Sequence, residues 1–416
     1  MKNYDVIVAG AGPAGCAAAI AAARRGKKVL LFDRNNCPGG AAAECLVTPF
    51  MAYWTVVNDE RDFLTQGIFT EIREKLDALY TAPNERSFHE EYLKLVLNRM
   101  LLEAGVEILY HATLESVEIE NGSLKSLTVV NFCGKESFSA SAFVDCTGDG
   151  ALFTLAGCSF HLGREKDSLC QPMTLSFRVA NVDYGEFAAE KPRLQELYKE
   201  AQAKGEIKNP RENILTFTVP VKGIVHFNST RVVKLNPTDP WEVTRAEIEA
   251  REQAFELFYF LKKNAPSFRN AEFLSTAMRI GVRESRMLDG EYLLTADDLI
   301  SCRKFEDSIA VANYDIDIHN PEGTGTSHHY FEPGTYYSIP YRSLVPKEID
   351  NLLVAGRCIS ATHEAQASVR IIPICFSMGQ AAGEAACLVV ENNAAARAVS
   401  VPELQKRLLE GGARIR

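Results

Sequence analysis

The chain has 416 residues, and its 45 lysine and arginine residues stand against 54 aspartate and glutamate residues, giving a formal net charge of −9. Hydrophobic residues make up 46% of the chain and charged residues 24%, a balance typical of a globular protein with room for about two domains. The acidic excess disfavours nucleic acid as a partner. No uninterrupted apolar stretch reaches the length of a membrane span, so we expect no membrane partner either.

Eleven cysteines are scattered along the chain, with no CxxC pair and no His/Cys cluster at zinc spacing. We therefore expect free thiols, a reducing compartment and no bound metal. The first residues, MKNYDVIVAG, contain too short an apolar run for a signal peptide. Together these features predict a cytoplasmic location.

The predicted elements begin with a buried strand over residues 4–9, a glycine turn and an alanine-rich helix that ends before Gly26. Gly10, Gly12 and Gly15 have the G-x-G-x-x-G spacing that lets a backbone approach a pyrophosphate. A second strand over residues 28–32 ends at Asp33, whose carboxylate can accept both hydroxyls of a ribose. This unit predicts a dinucleotide site, and the residues alone leave FAD and NAD open.

Further along the chain the periodicity predicts helices over residues 62–79 and 85–104. Strands are predicted over 106–109 and 114–119, with a hairpin turn at Asn121-Gly122 and a returning strand over 132–138. A buried strand then ends in Thr147-Gly148-Asp149-Gly150, a second place where backbone can come close to a cofactor.

The middle of the chain has no glycine fingerprint and indicates an α+β cap. Short strands lie between residues 170 and 235, and a polar helical insert is predicted around 191–204. A long helix is predicted over 245–264, with Thr244 and Glu247 as a capping box. The last part returns to cofactor-type sequence: a buried strand over 351–355 leads into Gly356-Arg357, and an apolar helix with small residues on its packing side follows.

Four segments of the second half carry a resemblance to a known family. They are GVRESRMLDGEYLLTADD from Gly281, DSIAVANYDIDIHNPEG from Asp307, YYSIPYRSLVPKEIDNLLVAGRCISATHEAQASVR from Tyr336 and MGQAAG from Met378. With the N-terminal glycines, the chain resembles the bacterial FAD-dependent oxidoreductase family of the glutathione-reductase-like flavoprotein superfamily over nearly its whole length. The resemblance implies an α/β fold in which residues 1–157 and 338–416 form a Rossmann-like FAD-binding domain of the glutathione-reductase type. Residues 158–337 would form an inserted α+β cap or substrate domain.

The resemblance also implies FAD as the cofactor and assigns residues to it. The first glycines and Asp33 would hold the pyrophosphate and the adenosine ribose, and the last helix would direct its N-terminus at the flavin pyrimidine ring, where a partial positive charge stabilises the reduced anion. The implied cofactor residues are Gly10, Gly12, Pro13, Ala14, Gly15, Asp33, Arg34, Gly39, Gly40, Leu114, Thr147, Gly148, Asp149, Gly356, Arg357, Gly379 and Gln380.

One stretch departs from the pattern of many relatives, which show a small hydroxyl residue and a glycine after the Gly-Gly pair. Here the sequence is GGAAAECLVTPF, which brings Cys45 toward the expected flavin position. A thiol there would be redox-active, or it would be a small apolar filler, as buried free cysteines commonly are.

The candidate catalytic residues are His363, Arg370, Arg286 and His319. His363 and Arg370 belong to the loop predicted between the flavin-facing strand and helix, where a histidine can transfer a proton and an arginine can hold an anionic oxygen. Each has a structural alternative: His363 and Arg370 in hydrogen bonds and ion pairs of the loop, and His319 as a turn cap. Further candidates are Arg283, which could instead pair with Glu284 or Asp289, and His328, His329 and Tyr336.

The chain has no second G-x-G-x-x-G at a strand-to-helix junction, so we expect no separate NAD(P)H domain. The sequence therefore predicts an FAD-dependent oxidoreductase that acts on a small organic substrate by hydride transfer at flavin N5. The alternative is an electron-transfer subunit that relays electrons to a partner protein in a larger redox complex. A flavin-dependent nucleic-acid modifier is disfavoured by the absence of a basic stripe.

Overall fold

The computed structural model describes residues 1–416, which fold into 19 strands and 10 α-helices. The strands are β1 (Lys2–Ala9), β2 (Val29–Phe32), β3 (Trp54–Val57), β4 (Glu60–Phe63), β5 (Glu107–Leu109), β6 (Thr113–Glu120), β7 (Ser123–Asn131), β8 (Gly134–Asp145), β9 (Phe160–Leu162), β10 (Phe177–Ala180), β11 (Thr216–Thr218), β12 (Val225–Phe227), β13 (Glu272–Thr276), β14 (Arg286–Leu288), β15 (Ser308–Ala312), β16 (Ile316–His319), β17 (Thr326–His329), β18 (Tyr337–Pro340) and β19 (Leu352–Val354). The helices are α1 (Pro13–Arg24), α2 (Ile68–Asp77), α3 (Glu90–Glu103), α4 (Ala151–Leu155), α5 (Tyr184–Ala203), α6 (Pro240–Asn264), α7 (Ala296–Ile300), α8 (His363–Val369), α9 (Ile372–Asn392) and α10 (Val401–Glu410).

The main sheet has seven strands in the order β5-β2-β1-β8-β7-β6, and β19 also pairs with β8. Strands β5, β2, β1, β8 and β19 run parallel to one another, whereas β6 and β7 join as antiparallel strands. The carboxyl ends of β1, β2, β8 and β19 therefore lie at one edge of the sheet, where ligands bind in open α/β sheets. The α/β class and the Rossmann-like arrangement expected from the sequence are confirmed.

Helix α9 packs directly on α1, because glycines on α9 face the backbone of α1. A Cβ at Gly379 would lie 2.1 Å from the carbonyl oxygen of Ala14, and one at Gly383 would lie 2.3 Å from that of Ala18. Helix α9 is the one helix that is long and apolar enough to cross a bilayer, and it is entirely buried in this protein. The small residues of both helices thus serve close packing in the largest core cluster, which holds 70 residues.

The cap has a four-stranded antiparallel sheet in the order β11-β12-β10-β13, and α5 and α6 contribute to its separate core of 18 residues. That core draws on residues between Phe177 and Ala271. Leu294 and Ile309, which lie within the predicted cap of 158–337, belong instead to the large core that contains α1 and α9. The part of the cap with its own core is therefore shorter than predicted, because the strands after residue 286 pack back on the FAD-binding domain.

Several predicted element boundaries were wrong for local reasons. Helix α6 begins at Pro240 because the Asp239 carboxylate accepts the backbone N–H of Trp241 at 2.8 Å, so Thr244 lies inside the helix and caps nothing. Residues 60–63 form β4, which pairs with β3, so the helix predicted from residue 62 begins at Ile68. The returning strand of the hairpin begins at Ser123, immediately after the predicted Asn121-Gly122 turn.

Candidate active site

A groove follows the carboxyl ends of β1, β2 and β8 and continues to the end of β19. It contains most of the residues that the sequence assigned to a dinucleotide. The groove is lined by Gly10, Gly12, Pro13, Ala14, Phe32, Asp33, Arg34, Asn35, Gly40, Ala41, Ala112, Thr113, Leu114, Cys146, Thr147, Gly148, Asp149, Ala151, Arg279, Ala355, Gly356, Arg357, Arg370, Ile372 and Cys375.

The groove fits the pyrophosphate of a dinucleotide at the start of α1. A Cβ built on Gly12 meets nothing within 4 Å, so it would project into open space of the groove that a phosphate would otherwise occupy. Gly12 is the N-cap of α1 and no side chain caps the helix, which leaves its first N–H groups free for an anion. A Cβ at Gly15 would lie 1.7 Å from the carbonyl oxygen of Gly10, so this glycine serves the close approach of helix and turn.

Asp33 stands at the end of β2, where the second half of the fingerprint expects an acidic residue. One carboxylate oxygen accepts the N–H of Ala11 at 2.6 Å, and the other accepts the N–H of Asn35 at 2.8 Å. The second oxygen also accepts the side-chain amide of Asn35 at 2.7 Å, so the oxygen bonded to Ala11 is the one with an acceptor site left for a ribose hydroxyl. Asp33 therefore shapes the turn between β1 and α1 and still presents charge to the groove.

Guanidinium groups line the groove opposite the α1 N-terminus. Arg34, Arg279 and Arg357 all border it, and Arg357 donates to the Asp149 carboxylate at 2.6 Å. Burial alone would raise the pKa of Asp149, but the charges of Arg357 and Arg34 hold it below its usual value. These groups add positive charge beside the expected pyrophosphate, and FAD fits the donors, the open space and the acidic residue of this groove.

Four residues assigned to the cofactor do not line the groove. Gly15 and Gly379 are packing positions, as described above. Gly39 faces Ala43, and its N–H donates to the carbonyl of Ala11 at 2.8 Å. Gln380 accepts the N–H of Ile68 at 3.0 Å and donates to the carbonyl of Gly411, which ties α9 to its neighbours. The assignment of Gly379 and Gln380 to the cofactor is corrected, because α9 lines the groove at Ile372 and Cys375, in its first turn.

A second, larger cavity of about 940 Å³ lies between the FAD-binding domain and the cap. Ala41, Arg357, Arg370 and Ile372 line both this cavity and the groove, so the two spaces meet there. Ile371, the N-cap of α9, also lines the large cavity and provides no side-chain cap. The free N–H groups and partial positive charge of the α9 N-terminus thus lie at the junction.

His319 lines the large cavity in a fixed tautomer. Its Nδ1 lies 3.1 Å from a guanidinium nitrogen of Arg231 and 3.4 Å from one of Arg211. Because a guanidinium only donates, Nδ1 accepts and the ring proton is on Nε2, which lies 3.5 Å from a carboxylate oxygen of Asp317. Burial, together with the charge of Arg283, holds the pKa of His319 well below its usual value. His319 is therefore a neutral, buried side chain and not a turn cap.

Asp317 links this histidine to a tyrosine. The Tyr314 hydroxyl donates to the Asp317 carboxylate at 3.3 Å, and both residues line the cavity. Burial alone would raise the pKa of Asp317, but the hydrogen bond of His319 and the charge of Arg370 hold it below its usual value. Burial, with the charge of Asp317, raises the pKa of Tyr314. Tyr314, Asp317 and His319 thus form a connected polar group, which we call the Tyr-Asp-His group.

The other predicted catalytic residues are divided between the junction and the interior. Arg370 lines both spaces. His363 lines neither: its Nδ1 lies 2.8 Å from the carboxylate of Glu284, and both side chains are buried. Arg286 also lines neither, since it donates to the carbonyl of Asp149 at 3.1 Å and stacks on Phe160. This buried contact is the arrangement of the structural alternative for His363, because α8 begins at His363 and its side chain turns toward Glu284.

Of two further candidates, Arg283 lines the large cavity and Cys45 does not. Arg283 does not pair with Glu284 or Asp289; it donates to the carbonyl of Pro172 at 2.6 Å and the hydroxyl of Thr174 at 2.7 Å, and it lines the large cavity. Cys45 lines neither space, and its thiol lies 3.6 Å from the carbonyl of Ile280. Burial raises the pKa of the Cys45 thiol, so it is the apolar filler that the sequence analysis left open.

Tyr314, Asp317 and Arg211 were missed as site residues by the sequence analysis. Asp317 and His319 are two residues apart on β16, and this spacing places both polar side chains on the same face of the strand. That signal could have identified the pair in DIDIHN. Arg211 lies more than a hundred residues away in the cap, and no local pattern connects it with His319.

Comparisons with known proteins agree with this geometry. A family model described as FAD dependent oxidoreductase matches residues 5–408. The chain is 30% identical over 138 residues to a tRNA uridine 5-carboxymethylaminomethyl modification enzyme of Desulfitobacterium hafniense, covering 30% of this chain and 21% of that protein. It is 31% identical over 165 residues to a digeranylgeranylglycerophospholipid reductase of Methanocella arvoryzae, covering 36% of this chain and 40% of that protein. The matched part thus spans less than half of either relative.

Among solved structures, the chain is similar to a geranylgeranyl bacteriochlorophyll reductase-like protein from Thermoplasma acidophilum. The two share 13% sequence identity with a TM-score of 0.47, and the alignment covers 100% of this chain and 85% of the other.

Proposed function

Because this chain belongs to the FAD dependent oxidoreductase family, we propose that it oxidises or reduces a small organic substrate in the large cavity by hydride transfer at flavin N5. That the protein is an oxidoreductase with FAD as its cofactor follows from the family itself. Its narrower placement in the glutathione-reductase-like group is part of the proposal, and the βαβ unit of β1, α1 and β2 at the start of the chain supports it.

The observation that carries the proposal is the junction of the two spaces. FAD supplies, when bound, a flavin N5 that accepts or gives a hydride. The large cavity opens onto the groove at Ala41, Arg357, Arg370 and Ile372, so a small molecule in the cavity can reach the flavin end of the groove. A volume of about 940 Å³ is at the upper end of the range for small-molecule sites.

Within the proposal, the chain's own residues take distinct roles. The N-terminus of α9 and Arg357 offer positive charge at the junction, where negative charge develops during reduction. The Tyr314 hydroxyl is the candidate proton donor, because it lines the cavity and Asp317 fixes its orientation. His319 and Asp317 are positioning residues behind it. We thereby replace His363, whose side chain faces Glu284.

The experiment fills the large cavity without touching the groove. Ser176 lines the cavity just before β10, and Ser275 lies exposed on the neighbouring strand β13. The FAD-loaded Ser176→Leu and Ser275→Leu variants would be mixed without oxygen with a panel of small organic metabolites, and loss of the oxidised flavin absorption would be followed. We expect bleaching in the wild type and in Ser275→Leu, and a loss of at least about tenfold in rate for Ser176→Leu.

The same experiment separates the electron-transfer alternative. An electron-transfer subunit would exchange electrons with small redox dyes but with no organic metabolite, and Ser176→Leu would change nothing. That outcome would overturn the proposal. We keep as proposals that the partner is a small molecule, that neither nucleic acid nor a membrane is bound, and that the protein is cytoplasmic.

A further inference from the structure

The wall of the large cavity carries an excess of positive charge. Five guanidinium groups line it, against three carboxylates, and a sixth, Arg231, lies buried directly behind His319. Arg231 is paired with Glu212 at 3.2 Å, and Arg357 is paired with Asp149. The five lining guanidiniums belong to Arg86, Arg211, Arg283, Arg357 and Arg370, and the carboxylates to Glu212, Asp315 and Asp317.

Of the five lining guanidiniums only Arg357 has a carboxylate partner, and Arg283 and Arg370 are two of the four that lack one. Arg283 donates only to uncharged oxygens, those of Pro172, Thr174 and, at 3.5 Å, Asn228. Arg370 makes only long contacts of 3.4 Å with the side-chain oxygen of Gln171 and the backbone carbonyl of Asp317, and its buried Nε has no partner. A charge removed from water is costly unless an opposite charge compensates it, so these groups are set up for an anion that the chain does not supply.

The carboxylates of the cavity have other neighbours than these two arginines. Asp317 lies beside His319 and accepts from Tyr314, and its other oxygen lies 3.6 Å from His328 and has no hydrogen-bond partner. Glu212 pairs with Arg231 and accepts from Thr326. Burial raises the pKa of Asp315. None of the three is bonded to Arg283 or Arg370, so the positive charge stays available to a ligand.

An apolar segment of the lining, residues 47–54, indicates that the anion has an organic body. In the segment from Val47 to Trp54, the cavity is lined by Val47, Pro49, Met51 and Trp54. This segment follows Ala41, which lies at the junction. Apolar side chains of this kind favour contact with carbon over contact with water. An inorganic anion would neutralise the arginines but leave this segment wet.

We infer that the large cavity binds an organic carboxylate, whose head is held by Arg283 and Arg370 and whose body lies along residues 47–54. Planar guanidinium groups match the geometry of a carboxylate, and Arg370 places that head next to the junction. The inference rests on the proposed function in one respect only, that the cavity is the substrate site, and it specifies the chemical class of that substrate.

The test measures binding rather than turnover. The oxidised, FAD-loaded protein would be titrated in a calorimeter with acetate, succinate, benzoate and cinnamate, and with the neutral amides of the last two. Perturbation of the flavin absorption in the same titrations reports whether the ligand lies near the junction. We expect at least one carboxylate to bind about tenfold or more tightly than its amide, with a flavin perturbation, and inorganic phosphate not to compete.

Three variants connect this binding to the named residues. Arg370→Gln removes a guanidinium that makes only long contacts, and it should fold normally and weaken the carboxylate by about tenfold to a hundredfold. Arg283→Lys retains the charge, loses the fork and should give a smaller loss. Arg251→Gln removes an equal charge from an exposed position on α6 and should change nothing. The affinity of the amides should be the same in all of them.

Four outcomes would overturn the inference: no carboxylate binds, carboxylate and amide bind equally, phosphate binds as tightly as the carboxylates, or Arg370→Gln leaves carboxylate affinity unchanged. None of these outcomes bears on hydride transfer, which the cavity-filling Ser176→Leu experiment tests with neutral and charged metabolites alike. A protein that is reduced by neutral metabolites only would keep the proposed function and lose the carboxylate.

Discussion

The groove and the large cavity lie side by side but are built in different ways. The groove is lined by backbone and small residues at the ends of β1, β2, β8 and β19, and its donors are the free N–H groups of the α1 N-terminus and several arginine side chains. The cavity is lined by larger apolar and charged side chains, and the charged ones come mainly from the cap, from β16 and from the residue just before α9. The comparison indicates that the fold itself provides the site of a cofactor common to many proteins. The substrate is instead selected by individual side chains that the fold carries.

The largest effect is expected where a side chain would occupy the space that the cofactor needs. Gly12→Leu should abolish FAD binding, because its Cβ would enter the open space beside the α1 N-terminus. The flavin content of the purified protein, measured after reconstitution with FAD, checks this. Gly185→Leu introduces the same side chain at an exposed position in the first turn of α5 and should retain one FAD per chain. A yellow Gly12→Leu protein with normal FAD affinity would remove the pyrophosphate from the α1 N-terminus.

The next effect concerns the cavity and leaves the groove intact. Tyr314→Phe should keep FAD but slow flavin reduction by substrate by about a hundredfold, the lower end of the range for a positioned proton donor. His363→Gln should leave that rate within a few-fold of the wild type, since His363 lines neither space. Stopped-flow reduction of both variants with one substrate decides between the two residues.

In a stability measurement, His363→Gln should have the larger effect of these two variants. His363→Gln removes a hydrogen bond of 2.8 Å from the fully buried Glu284, so thermal unfolding should show a loss of about 1–3 kcal/mol. Tyr314→Phe should lower the unfolding free energy less, because the Asp317 carboxylate keeps its contact with His319. Slow reduction in a stable, FAD-loaded His363→Gln protein would return the proton transfer to His363.

The same contrast explains how much the sequence alone could predict. Gly10, Gly12 and Asp33 lie within one βαβ unit, so spacing alone brings them together, and Gly148 and Gly356 follow strands that end at the same sheet edge. The cavity offers no such regularity. Arg211 and Arg283 come from separate parts of the cap, and only the pairing of its strands brings them near His319.

Orientation was the second limit. The segment that contains His363 and Arg370 lies between β19 and α9, but it forms helix α8 instead of the predicted loop, and its place in the chain does not determine where a side chain points. Thr362 caps α8 by accepting the N–H of Ala365, which makes His363 the first helical residue and turns it toward Glu284. Arg370, at the opposite end of that helix, points into the junction.

A smaller effect is expected at the ribose end of the groove. Asp33→Ala should weaken FAD by about 1.5–3 kcal/mol, the scale of hydrogen bonds to a charged group. Asp5→Ala is the matched control, because Asp5 likewise accepts a backbone N–H, that of Lys28 at 2.7 Å, at the opposite end of the same pair of strands. FAD titration followed by fluorescence should distinguish the two variants. Equal losses would mean that Asp33 acts only through the turn that it holds with Ala11.

The last effect lies in the cap, away from both spaces; it is the smallest at neutral pH and grows only in acid. His226 on β12 is fully buried, and neither ring nitrogen has a hydrogen-bond partner. Burial, reinforced by the charge of Arg178, lowers the pKa of His226 to about 3. A histidine in the unfolded chain titrates near 6.5, so below that pH the unfolded state binds the extra proton and the folded state loses stability. The loss grows by up to about 1.4 kcal/mol per pH unit as the pH falls toward 3, and it is absent above about pH 7.

His226→Leu should therefore flatten the decline of the unfolding free energy between pH 6 and pH 4, roughly the window in which only the unfolded histidine is charged. At neutral pH the variant should be nearly neutral or slightly stabilised, because it replaces two unpaired polar atoms with an apolar side chain. His329→Leu changes an exposed histidine on β17 and should leave the pH dependence unaltered. Urea unfolding at a series of pH values checks the difference between the two slopes. Parallel curves for the wild type and His226→Leu would show that His226 is protonated in the folded cap, and the cap would then have to open to solvent at this strand.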